Sequence, residues 1–395
     1  MSWLTQIGAV TLLNLRTIPQ RIGSSIVAVI GIAGVVIVFV AVLSMAEGFF
    51  SAMRSAGSPD RALVMRTGAD DEMTSVVGGA EADIVKQAPG IRREGQKALA
   101  SSELFVVIDL PKRSTLTSAN VPMRGIEPAT FQVRGEARLI EGRLLRFGTN
   151  EIIAGRAAAR QFAGLSVGSE VKSGQVTWTV VGIFESAGGV AETELWCDAR
   201  MLQGAYRRVN SYQSVLVLLE SPQTFNTLKD WLTSNPQVNV SVRREVDYYV
   251  AQATGLTRLI RTLGFGIAAL MGIGAVFGAV LTMYTAVATR SREIATLRAL
   301  GFNTISVLVS VLAESLGLAA IGGALGGILA YAAFNGFQTS TMNWQTFSQV
   351  AFAFAVTPSL LAQGLAYALI MGFIGGLLPA VRASRLAISS ALREL

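Results

Sequence analysis

Histidine is absent from the chain. That excludes a histidine general base, a histidine-containing nucleophilic triad and most zinc sites. The single cysteine, Cys197, has no partner for an intrachain disulfide or a cysteine–histidine nucleophile. Its expected role is that of a small buried apolar residue. Lysine occurs at only five positions, all between Lys86 and Lys229, and none completes the G-x-x-x-x-G-K-[ST] loop that cradles nucleotide phosphates. These 395 residues therefore contain no ATPase of that kind. Charge is scarce too: 15% of residues are charged and 51% hydrophobic, with a mean hydropathy of +0.49. An ordinary soluble protein is more polar than this.

The position of the charge decides what a net +7 means. Residues 48–257 hold 23 Lys and Arg against 22 Asp and Glu, whereas the remainder holds ten Arg, no Lys and four Glu. The excess flanks long apolar runs, as the positive-inside rule requires, and builds no basic patch of groove size. Nucleic acid is excluded as a partner.

Residues 1–21 place Trp3, Ile7, Val10 and Leu13 or Leu15 near one face at helical spacing, which predicts an interfacial helix. A first span follows over residues 22–47. Its 25 uncharged residues, Ile22–Ala46, reach about 37 Å as a helix, enough to cross a bilayer core. Residues 48–257 change character: short β-branched runs such as Ala62–Arg66, Phe105–Leu110, Val121–Ile126, Val176–Phe184 and Ser214–Leu219 alternate with turn residues. Helical patterns over Gly155–Ala163 and Gln223–Ser234 lie between them. This stretch predicts one mixed α/β domain with its own core.

A second span and stalk are expected over residues 258–289, and a basic insert over residues 290–304. A third span is placed at residues 305–334, a polar loop with Trp344 at residues 335–349, a fourth span at residues 350–378 and a tail at residues 379–395. Arg16, Arg21, Arg290, Arg292, Arg298, Arg382, Arg385 and Arg393 then lie on the cytoplasmic side, with both termini there and residues 48–257 periplasmic. The fold class is an integral membrane protein with four transmembrane helices and a large α/β domain between spans one and two.

Two features within the spans suggest roles. Gly274 and Gly278, Gly322 and Gly326, and Gly323 and Gly327 have the small-xxx-small spacing that lets membrane helices approach closely, within one chain or between two copies. Glu314 is the only charge between Ala299 and Ala380. An intramembrane carboxylate costs several kcal/mol unless paired, hydrated or protonated, so Glu314 reads either as a hydrogen-bonded brace or as a neutral packing acid. A proton relay needs further buried ionisable groups, and the spans offer none.

The insert and following run, TRSREIATLRALGFNTISVLVSVLAES, resemble the R-x-x-E-I-x-x-x-x-A-L-G segment and later acid of the MacB/FtsX-like (type VII) permeases of ABC transporters. The ending LLPAVRASRLAISSALREL resembles that family's tail, with Ile388 where proline is usual. RGIEPATF, EGRLLRFGTNEIIAGRAAARQF and VVGIFESAGGVAETELW resemble MacB-type periplasmic segments. MacB itself carries a fused N-terminal ATPase, which 21 residues cannot hold.

The resemblance implies a permease without catalytic, metal or cofactor residues of its own. ATP and Mg would be bound by two separate ATPase subunits, and the permease would pair with a second copy or homologue and a periplasmic adaptor or other periplasmic partner. It implies an inner-membrane location and mechanotransmission, with coupling through Arg290, Arg292, Glu293, Ile294, Leu297, Arg298, Leu300 and Gly301. Ile294, Leu297 and Leu300 read as anchors, Gly301 as the residue that ends the coupling helix, and Asn303 or Thr304 as the cap of the next. Export from the periplasm or outer leaflet, LolC/LolE-like lipoprotein release and FtsX-like regulation of a cell-wall hydrolase all fit this machine.

Overall fold

The structure, a computed structural model, describes residues 22–343 and 349–386. The expected interfacial helix at residues 1–21, Trp344 and the tail from residue 387 onward, with Ile388 and Arg393, lie outside the described residues. The chain forms two compact units, one from residues 1–47, 258–337 and 354–395, the other from residues 48–257 and 338–353.

Among the described residues, four helices are long and apolar enough to cross a membrane. The first runs Ile22–Ala56, the second Glu245–Thr289, the third Thr304–Phe334 and the fourth Pro358–Ser384. The second begins 13 residues before the expected boundary at residue 258. Tyr248, Tyr249, Gln252, Ala253 and Thr257 are all buried at helical spacing, so a packed face forms ahead of the apolar run. Glu245 and Asp247 lie in its first turn, where negative charge favours a helix.

The fourth apolar run divides differently from the expectation of a loop at residues 335–349 and a span at residues 350–378. Gln338–Met342 and Gln349–Ala353 pair as an antiparallel hairpin, with Val350 and Phe352 buried in alternation. The helix begins only at Pro358: the Thr357 hydroxyl caps it by accepting from Leu360 N (3.3 Å), and proline suits a first helical position. It continues to Ser384 with Pro379 inside it.

Within the helical unit, close approach depends on glycine. A Cβ at Gly322 or Gly326 would come within 2.9 or 2.7 Å of the carbonyl oxygens of Val29 and Ala33 on the first helix. One at Gly323 would meet Ala368 at 2.7 Å, and Gly327 faces Leu361. Gly274 and Gly278 differ, since a Cβ at either would meet nothing within 4 Å. Among the described residues they make no close packing contact, contrary to one of the two expectations. The second helix turns Ala268, Gly272, Ala275 and Ala279 inward instead, and the Tyr367 hydroxyl bonds Ala268 O at 2.6 Å.

The α/β unit is built on a ten-stranded sheet. Its central path runs Val240–Arg244, Arg61–Arg66, Ser214–Leu218, Ala100–Pro111, Ser118–Ile126, Leu195–Asp198, Glu151–Gly155, Val176–Glu185 and Arg138–Gly142. Strand Glu170–Ser173 pairs beside Val176–Glu185. Pairing is mostly antiparallel, with parallel steps at Ser118–Ile126 to Leu195–Asp198 and Glu151–Gly155 to Val176–Glu185. One core gathers Leu104, Met123, Ile152, Trp178 and Leu195 together with Cys197, which is buried as expected. A second gathers Val64, Val85, Val215, Val217 and Leu228.

Candidate functional site

In the helical unit the basic insert is a nine-residue helix, Ser291–Ala299, with defined stops at both ends. At its end Phe302 N donates to Leu297 O (3.1 Å) and Gly301 N to Arg298 O (3.1 Å). This is a Schellman closure, and it requires the left-handed φ of +94° that Gly301 adopts. Two residues later the Asn303 side chain accepts from Ile305 N at 3.3 Å and starts the third apolar helix. Asn303, not Thr304, is the cap.

Arg290 sits at the break between Thr289 and Ser291. Its Nη1 donates to Glu314 Oε2 at 3.0 Å, and both side chains are buried. Met283, Val287, Ile294, Val307 and Val311 surround the pair. The carboxylate expected to brace the helices thus finds its cation 24 residues earlier in the chain, which limits the cost of a charge buried among apolar side chains. Arg298 Nη1 bonds Leu386 O, and Arg382 lies over the Tyr284 ring, 5.4 Å from its centroid.

These placements redistribute the residues grouped for coupling. Ile294 is buried, and Leu297 and Arg298 are half-buried, whereas Arg292 and Glu293 are exposed. Leu300 is 72% exposed and does not anchor the helix, because it stands at the cap where the chain already turns away. Arg290 points inward to Glu314 and so is removed from any outward docking face.

The α/β unit contains a second constellation, which the sequence reading missed. Arg124, 1% exposed, bonds Glu72 (2.7 and 3.0 Å), Glu103 (2.8 Å) and Glu194 (2.7 and 2.8 Å). Phe105 lies against its guanidinium, 5.0 Å away. Arg134 continues the chain of charges from Glu103 (3.2 Å) to Glu245 (3.0 Å). Arg61 pairs with Glu245 and with Glu136, and Ser58 N also donates to Glu245 at 3.0 Å. Glu245 is the first residue of the 45-residue second helix. Charged groups from opposite ends of the α/β sequence therefore converge on the start of that helix.

Burial disfavours the charged form of Glu72, but Arg124 and the Ser214 hydroxyl outweigh it and hold the carboxyl below its ordinary range. Glu103 goes the other way. Burial raises its pKa, Arg134 and Arg124 only partly offset this, and its Oε1 has no hydrogen-bond partner among the described residues. A raised folded pKa means that the native state binds more protons than the unfolded chain. The stability from Glu103 is thus full below the unfolded value of about 4.3 and is lost as pH rises through the folded value. Glu103→Gln should remove that decline: the unfolding midpoint of the mutant should rise relative to wild type as pH increases above about 4. A midpoint difference that stays constant with pH would count against this assignment. Among the described residues no group of three or more His, Cys, Asp or Glu is placed to hold a metal ion.

The family described as MacB-like periplasmic core domain matches residues 25–235, and that described as FtsX-like permease C-terminal matches residues 265–388. Among solved structures, the periplasmic region of MacB from Actinobacillus actinomycetemcomitans is 14% identical with a TM-score of 0.37, covering 50% of this chain and 94% of its own. The extracellular domain of the noncanonic ABC-type transporter YknZ from Gram-positive bacteria is 16% identical with a TM-score of 0.35, covering 46% and 99%. No curated protein sequence matches.

Proposed function

We propose, from the premise that this chain belongs to the MacB/FtsX-like (type VII) family of ABC transporter permeases, that it is an inner-membrane permease subunit driven by a separate ATPase. Its termini face the cytoplasm and residues 48–257 face the periplasm. Nucleotide-driven closure of two ATPase subunits, which bind the ATP and Mg, displaces helix Ser291–Ala299, and the α/β unit responds by moving substrate from the periplasm or outer leaflet. A second permease and a periplasmic partner complete the assembly.

The observation that carries this reading is the buried Arg290–Glu314 pair. It ties the start of the short helix to the third apolar helix and leaves Arg292, Glu293 and Leu300 exposed for contact with a partner. A push on that face cannot be absorbed by the short helix alone without separating a buried ion pair. The unbroken run of Glu245–Thr289 supports transmission along one helix. The size of the α/β unit favours export or lipoprotein release over the switching of a cell-wall hydrolase.

The test uses the complex copurified with its ATPase and reconstituted in liposomes. Arg292→Ala with Glu293→Ala should leave the permease in the membrane and lower stimulated ATP hydrolysis by about tenfold, equivalent to roughly 1.4 kcal/mol in activation free energy. Undiminished stimulation in that variant would refute the docking role.

A further inference from the structure

The α/β unit contains a cavity of about 330 Å3 that neither the transport reading nor the charge network uses. Ligand pockets occupy roughly 300–1,000 Å3. Three stretches distant in sequence form its walls: helix Arg156–Gln161, the turn at Gly188 leading into the 3-10 helix Val190–Thr193, and the hairpin Gln338–Met342 with Gln349–Ala353. Its walls are held from within. Gln161 Nε2 donates to Ser340 Oγ (2.9 Å) and Gln349 Oε1 (3.4 Å), joining helix to hairpin. Glu192 Oε1 accepts from Ser186 N (2.8 Å) and Gly188 N (2.7 Å), closing the turn. A Cβ at Gly155 would come within 2.2 Å of Glu192 O, so the helix start packs backbone to backbone on the 3-10 helix.

The charges in these walls are unequally engaged. Arg156 bonds Glu185 (2.9 Å) and Glu192 (3.4 Å), which also occupies the remaining oxygen of Glu192. Arg160 follows four residues later, on the same side of the helix. It is exposed, and no ion pair among the described residues engages it. The cavity thus offers one unspent guanidinium and no unspent acid, beside the apolar surfaces of Ala157, Ala351 and Phe352 and the hydroxyl of Thr339.

We propose that this cavity binds the phosphate headgroup of an anionic amphiphile. Arg160 meets the phosphate with its planar fork of donors, and Thr339 contributes a hydroxyl. The apolar part of the ligand lies on Ala157 and Phe352. Only three residues separate Phe334, the end of the third apolar helix, from Gln338. Phospholipid headgroups are therefore within reach of the hairpin when that helix spans a bilayer. The site would bind this ligand whichever cargo the permease moves, so its test is independent of transport.

Binding is measured by native mass spectrometry and thermal shift on the full-length chain in neutral detergent. Phosphatidylglycerol, phosphatidylcholine and glycerol 1-phosphate serve as probes. Phosphatidylglycerol should bind in preference to phosphatidylcholine. Arg160→Glu, and Ala157→Phe, which fills the cavity, should each weaken it about tenfold or more. Arg200→Glu, which reverses an exposed charge elsewhere on the same unit, should leave it unchanged; Arg160→Gln serves if the Glu variant fails to fold. Glycerol 1-phosphate binding with the same dependence on Arg160 and Ala157, at equal or better affinity, would support the phosphate site and assign it a soluble ligand. Equal binding of all probes by wild type and variants, or equal loss in all variants including Arg200→Glu, would overturn the proposal.

Discussion

Arg124→Ala should cost the α/β unit roughly 3–5 kcal/mol, because it leaves buried carboxylates without the cation that balances them. Glu72, Glu103 and Glu194 all bond this one guanidinium, and none of the four side chains reaches solvent appreciably. Arg134 would still pair with Glu103, and Ser214 and Trp196 would still hold single oxygens of Glu72 and Glu194, but a hydroxyl and an indole N–H bring no charge to those two acids. With a whole domain stable by only about 5–15 kcal/mol, a large part of the margin disappears. The expected readout is a fall in the unfolding midpoint of the full-length chain on the order of 10 °C, with early tryptic cleavage between residues 48 and 257. Arg124→Lys should fall between, since one ammonium cannot reproduce a fork spread over three acids. The exposed pair Arg143–Glu151 is the control: Arg143→Ala should leave the unfolding midpoint close to that of wild type, because a solvent-screened ion pair contributes little. An Arg124→Ala midpoint within about a degree of the Arg143→Ala midpoint would show that water or rearrangement satisfies the acids, and the network would lose its structural role.

That network illustrates what a single sequence conceals. Arg61, Arg124, Arg134, Glu72, Glu103, Glu194 and Glu245 are scattered over more than 180 positions, in a stretch whose charges nearly cancel. Each alone reads as a solvated surface group, and only the sheet order brings them together. Local pattern was more informative where composition was distinctive. Strands Ser118–Ile126, Val176–Glu185 and Ser214–Leu218 were legible as β-branched runs bounded by turn residues. Strand Arg138–Gly142 was not, since all five residues are exposed at the end of the sheet path. Leu195–Asp198 is buried on both faces and shows no period at all. The hairpin strand Gln349–Ala353 was absorbed into an apolar run because short apolar segments do not distinguish strand from helix. Thr357–Pro358 was the available start signal. The spans, by contrast, follow from length and hydropathy, and Gly301 and Asn303 from their chemistry at the two ends of one turn.

Glu314 was conspicuous for the opposite reason: an isolated charge in an apolar run asks for a partner, and the flanking arginines were the only candidates. The pairing with Arg290 leads to a double-mutant cycle that separates transmission from packing. Glu314→Leu leaves a buried guanidinium and Arg290→Met a buried carboxylate, so each should destabilise the helical unit by roughly 3–5 kcal/mol. Combining them removes both charges, and the double variant should recover most of that loss, giving a non-additive term of about 2 kcal/mol or more. Thermal unfolding in detergent measures the cycle, and additive single effects would mean that the 3.0 Å contact is not the interaction that matters. Stimulated ATP hydrolysis in the reconstituted complex supplies the second readout. If the pair transmits displacement from the short helix, the double variant should be stable but still poorly stimulated, because methionine and leucine pack without a directional bond and can slide. Return of full stimulation together with stability would reduce the pair to a means of burying one acid. The direction of force through Arg290 would then have to lie in the packing of Ile294 against Val307 and Val311.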